Sequence, residues 1–119
     1  MNKDDPPALK KVPAVFYATA AGAEPVREWL KSLTPEDRKI LGTDIATVEY
    51  GWPVGMPVCR AMGKGLWEVR STIAHGIARV LFCLHDGRMV LLHGFIKKTQ
   101  KAPQADLDLA LKRKKEMER

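Results

Sequence analysis

The spacing of apolar and polar positions changes character along the chain, and each change marks an element. Residues 12–18 (VPAVFYA) are rich in β-branched and aromatic side chains and read as a first strand. Pro13 puts that strand at a sheet edge or at its start, and Gly22 marks the turn that follows. From Pro25 the period becomes helical. Pro25 suits a first-turn position, where the missing N–H costs nothing, and Val26, Trp29, Leu30 and Leu33 fall at i, i+3, i+4 and i+7. Thr34 then stands as an N-cap, with Pro35 at the first helical position and Asp37 three residues after the cap. Leu41, Ile45 and Val48 form the stripe of this second helix, and Gly51 followed by Trp52-Pro53 ends it. Both stripes are assigned to the core.

The following stretch, 51–65, contains Gly51, Pro53, Gly55, Pro57, Gly63 and Gly65 and reads as a loop crossing back towards a sheet. Strands are expected at 66–71, 78–85 and 89–96. Turn signals separate them at Ala74-His75-Gly76 and at Asp86-Gly87, the latter a strong tight-hairpin pair. Pro103 opens a last helix whose apolar side is Leu107, Ala110 and Leu111. Asp106 and Asp108 lie early in it and the basic run late, as the helix dipole favours. The order strand, helix, helix, three strands, helix predicts an α+β fold with an antiparallel sheet of about four strands. The two N-terminal helices are expected on one face, with a C-terminal helix after the sheet. Residues 1–11 read as a flexible tail and 12–119 as a single domain, with no internal repeat.

Composition narrows the class. An apolar share of 45% and a charged share of 29% suit a soluble globular chain of 119 residues. No apolar run approaches the roughly 20 residues that span a bilayer. The first residues, MNKDDPPALKK, lack the apolar core of a secretory signal, so a cytoplasmic location and no membrane partner are expected. Cys59 and Cys83 give no disulfide framework, and Cys83 in VLFCL reads as a small core residue. His75, His85 and His93 are spaced as a strand meander spaces them, and no Cys/His spacing resembles a zinc site. Neither a metal nor another cofactor is expected. The net charge of +6 is uneven: residues 96–119 hold eight basic against four acidic residues. A basic C-terminal quarter favours an anionic partner such as nucleic acid, or an acidic protein; a solvated helix with solubilising lysines has the same composition.

The stretch GLWEVRSTIAHGIARVLFCLHDGRMVLLHGFIKKTQKAP (65–103) places polar groups inside strands. Period-two alternation puts Glu68 and Arg70 on one face of their strand, with Trp67 opposite as core, and puts His93, Phe95 and Lys97 on one face of theirs. An arginine in a half-buried strand is costly unless it is paired or used. Arg70 can pair with Glu68, and Arg79 with an acid likewise. Yet two arginines on adjacent antiparallel strands repel unless an anion lies between them, which points to a phosphate. His93 is either a satisfied core residue or a proton-transfer group, since imidazole suits that task near neutral pH. Phe95 is core or a surface on which a base stacks. Lys97, Lys98 and Lys101, with Thr99 and Gln100, form either a solvated turn or a compact phosphate-binding surface.

The words VFYATAAGAEPVREWLKSL (15–33), GLWEVR (65–70), ARVLF (78–82) and above all VLLHGFIKKTQKAP (90–103), in this order and spacing, resemble the phage-associated, HigB-like branch of the RelE toxin superfamily. The resemblance covers about residues 14–111. It implies a small sheet with two helices on one side and a basic concave face on the other. It further implies a toxin of a type II toxin–antitoxin module that cuts messenger RNA in the ribosomal A site, without a metal. Its partners would be mRNA on the ribosome and a helix-turn-helix, HigA-like antitoxin. Carried over by residue, the strand arginines are Arg70 and Arg79 and the basic loop is Lys97 and Lys98. Relatives that end the active strand with a catalytic tyrosine or histidine differ here, because the helix after the lysine loop contains neither. The base is then Glu68 or His93, with Lys97 as a further catalytic group. The alternative on the same fold is a binding protein without nuclease activity, either a gyrase-inhibiting toxin or an inactive phage remnant.

Overall fold

In the computed structural model, which describes residues 9–97 and 104–119, one five-stranded sheet carries helices on both faces. The elements are β1 (Ala14–Phe16), α1 (Pro25–Ser32), α2 (Pro35–Gly51), β2 (Cys59–Gly63), β3 (Leu66–Ile73), β4 (Gly76–His85), β5 (Arg88–Lys97) and α3 (Gln104–Glu118). Their order in the sheet is β1-β5-β4-β3-β2. The fold is α+β, as expected, but the sheet has one strand more than about four and is mixed. β1 pairs parallel with β5, because the chain passes through α1, α2 and the rest of the sheet before β5 returns beside it. The extra strand, β2, lies in the stretch read as a loop and pairs antiparallel with β3. Of the tail expected over 1–11, residues 1–8 lie outside the described residues. Lys10 and Lys11 are tied to α2: Lys10 Nζ lies 3.0 Å from Glu49 Oε2, and the Lys11 amide donates to the Glu49 carbonyl.

Local chemistry explains the helices. Pro25 occupies the first turn of α1, and the Thr34 hydroxyl caps α2 by accepting from the Asp37 amide at 3.2 Å. Val26, Leu41, Ile45 and Val48 are buried against the sheet, with Trp29, Leu30 and Leu33 partly buried around them. They cover the inward side of Val69, Val80, Phe82, Met89 and Leu91. A second apolar cluster lies on the opposite face, where Leu107, Ala110 and Leu111 of α3 meet Leu66, Leu81, Cys83, Val90 and Leu92. The C-terminal helix therefore covers part of the face that the resemblance leaves open. The β4–β5 hairpin turns on Asp86 and Gly87, both at positive φ (51° and 74°), as a tight turn of this kind requires.

Candidate active site

The register of β3, β4 and β5 sets the candidate residues in rows. Cross-strand partners share a face. One row is Glu68, Leu81 and His93; the next is Arg70, Arg79 and Phe95; the third is Thr72, Ile77 and Lys97. Glu68, Arg70, Arg79, His93, Phe95 and Lys97 thus occupy a single face, the one on which α3 packs, and Trp67 lies with the core of the other face.

A bulge makes this possible. Leu81 pairs with His93 and Phe82 with Leu91, so Leu92 is an extra residue in β5. Strict alternation from Val90 and Leu92 would send His93 to the α1–α2 face. The bulge instead returns it to the side of Leu92, Phe95 and Arg79, which is the way bulges re-aim side chains. The carbonyl left over at Leu92 accepts from Arg113 Nη1 of α3 at 2.8 Å.

The anion between the two strand arginines is Glu68. Arg79 Nη1 donates to Glu68 Oε2 at 3.3 Å, and Arg70 Nε stands 3.6 Å from Glu68 Oε1. Burial separates the three. Glu68 is 0% exposed and Arg79 1%, whereas the Arg70 side chain is 20% exposed. Arg79 therefore lies beneath the surface and Arg70 at its rim. Arg70 also borders a cavity of about 360 Å³ at the sheet edge, walled by Ile40, Val58 and Ile77. This is the pairing that the sequence offered as the structural alternative to a bound phosphate, and it neutralises part of the expected cationic patch from within.

His93 Nε2 lies 2.5 Å from Asp106 Oδ1 on the first turn of α3. The His93 and Phe95 rings stack with centroids 5.4 Å apart and planes at 21°. Phe95 is buried, so the aromatic partner the structure gives it is the imidazole rather than a base. Lys97 ends β5 opposite Ile77, half-buried. Lys98 and Lys101 lie outside the described residues. Asp106 was legible in the sequence only as a helix-dipole acid. The signal that it belongs to the site is its place thirteen residues after His93 in the sequence. Cys83 is buried in the second cluster, and burial pushes its thiol up to about 11, which keeps it neutral and unreactive. Among the described residues, no three His, Cys, Asp or Glu side chains converge as metal ligands do, and no helix is long and apolar enough to cross a membrane.

Residues 28–115, which include every one of these side chains, match the family described as phage derived protein Gp49-like (DUF891). The chain belongs to the phage-derived Gp49-like family. Gp49-like proteins are a family of the RelE/HigB-like toxin type, and a toxin family implies an antitoxin partner. No curated protein matches the chain. The match begins within α1 and runs to the last turns of α3, so the Gp49-like unit includes the helix that supplies Asp106 and Arg113.

Proposed function

We propose that this Gp49-like chain is the toxin of a type II toxin–antitoxin module and a ribosome-dependent mRNA endoribonuclease acting in the cytoplasm. The observation that supports this most is the gathering of two arginines, a histidine and a lysine on one sheet face, with a carboxylate organising the arginines. His93 takes the proton from a ribose 2′-hydroxyl. The 2′-oxygen bonds to the adjacent phosphorus and the bond to the 5′-oxygen breaks, leaving a 2′,3′-cyclic phosphate. Lys97 delivers a proton to the departing 5′-oxygen. His93 is preferred to Glu68 as the base because Glu68 is fully buried and held by two guanidiniums. Arg70, at the rim, faces the charge that develops on the phosphorane. Arg79 acts from beneath by holding Glu68, which in turn holds Arg70. Phe95 backs the imidazole, and Lys98 and Lys101 add phosphate contacts. A helix-turn-helix, HigA-like protein is the proposed antitoxin.

Primer extension on mRNA from cells expressing the chain tests the reading. Cuts within translated messages, suppressed by co-expression of a cognate antitoxin, are expected. Growth arrest with intact messages would move the chain to the rival class, a binding toxin such as a gyrase inhibitor. One observation favours that rival: Glu68 already forms ion pairs with both arginines, at 3.6 Å to Arg70 and 3.3 Å to Arg79. The rival predicts that Arg70→Ala stays toxic, whereas the nuclease reading predicts loss of toxicity.

A further inference from the structure

We propose that Asp106 of α3 is a positioning residue for His93, fixing which of its ring nitrogens exchanges a proton with the substrate; the inference rests on the nuclease reading. A carboxylate presents only acceptors, so a hydrogen bond to Asp106 Oδ1 places the proton on Nε2. The 2.5 Å separation leaves no room for a water between them. Nδ1 is then the nitrogen that takes the 2′-hydroxyl proton. The ring is held on a second side by Phe95, stacked at 21°. It is held through its backbone as well, because the bulge that aims His93 has its spare carbonyl bound by Arg113, two turns further along the same helix. One helix thus fixes both the strand geometry and the ring. The side chains of His93 and Asp106 are 16% and 22% exposed, partly shielded from water yet open to a ligand. A contact that merely fastened α3 would not need a titratable pair, since α3 is already anchored by Leu107, Ala110 and Leu111 and by the Tyr17 hydroxyl donating to Glu116 at 2.6 Å.

The test uses the full chain labelled with ¹⁵N, free of RNA, and its Asp106→Ala and Asp106→Asn variants. Imidazole ¹⁵N shifts give the protonation of each ring nitrogen. Single-turnover cleavage on programmed ribosomes gives the rate and the half-saturating enzyme concentration. In the wild type, Nε2 should stay protonated while Nδ1 gains and loses its proton. In Asp106→Ala the neutral ring should become a mixture of tautomers. Its cleavage rate should fall about 10-fold or more, with half-saturation changed less than about two-fold. Asp106→Asn keeps an acceptor oxygen and should restore the Nε2–H form and part of the rate, which also guards against loss of fold in the alanine variant. A wild-type ring protonated on Nδ1, or an alanine variant that cleaves at the wild-type rate, overturns the proposal. A wild-type chain with the Nε2–H form that cuts no message overturns the nuclease reading, and the catalytic role of the pair with it, while leaving the pairing itself demonstrated.

Discussion

Arg70 and Arg79 look alike in the sequence, each an arginine in an apolar run, and the sequence assigns them the same role. Burial makes them different. Removing Arg79 leaves Glu68 charged, enclosed and short of its closest partner, and breaking a buried pair in this way costs about 3–5 kcal/mol. Arg70 is partly solvated and its contact with Glu68 is the longer of the two, so its removal should cost less than that of Arg79. We expect urea denaturation to show Arg79→Ala strongly destabilised and Arg70→Ala less so, with toxicity lost in both. Equal midpoints for the two variants would show that Arg79 is not the buried member of the triad. Alternation set Glu68 with Arg70, and His93 with Phe95 and Lys97, but the bulge at Leu92 that brings the two groups to one face lay outside it. Nor could alternation show which side chain lies under which, because depth depends on what packs above a row, and that is set by residues remote in sequence.

At the level of elements, the helices were legible because their signals are local. The Thr34 cap, the Pro25 and Pro35 starts and the two apolar stripes all act within one or two turns. The Asp86-Gly87 hairpin was legible for the same reason. β2 was not, since Cys59–Gly63 has little strand propensity and exposes Arg60, Ala61 and Gly63; pairing with β3 makes it a strand. The bulge at Leu92 and the parallel pairing of β1 are likewise tertiary outcomes. Gly94 illustrates how tightly the elements meet. A Cβ there would fall 2.3 Å from Trp29 Cε3, so no side chain fits unless α1 or β5 moves. Gly94→Ala should destabilise by about 1–3 kcal/mol, as overpacking does. The Trp29→Leu/Gly94→Ala double variant should recover part of that loss relative to the sum of the single changes, because the clash is with the indole itself. Chemical denaturation of the four-member cycle measures this coupling. Strict additivity would show that the indole is not what Gly94 accommodates.

Across the whole molecule, charge and shape together set how RNA is engaged. The chain is +6, and the last 24 residues hold eight of its basic side chains against four acidic ones. α3 lies across part of the site face, and among the described residues Glu68 pairs with two strand arginines from within. Among the described residues, the basic groups this face offers a free RNA strand include Arg70 and Lys97, both partly buried. Phosphate contacts of this kind give weak binding that falls steeply as salt rises. Such a surface holds a phosphate only if something else presents it, in register and with the 2′-hydroxyl in line, and a ribosome holding its message is a scaffold able to do so. We therefore expect mRNA on programmed ribosomes to be cut under conditions in which naked mRNA at the same enzyme concentration stays intact. Lys97→Ala should lower both cleavage and the salt dependence of RNA binding. Primer extension on the two substrates, with binding measured over a range of salt concentrations, decides the matter. Efficient cutting of naked message would mean that the chain orients its own substrate.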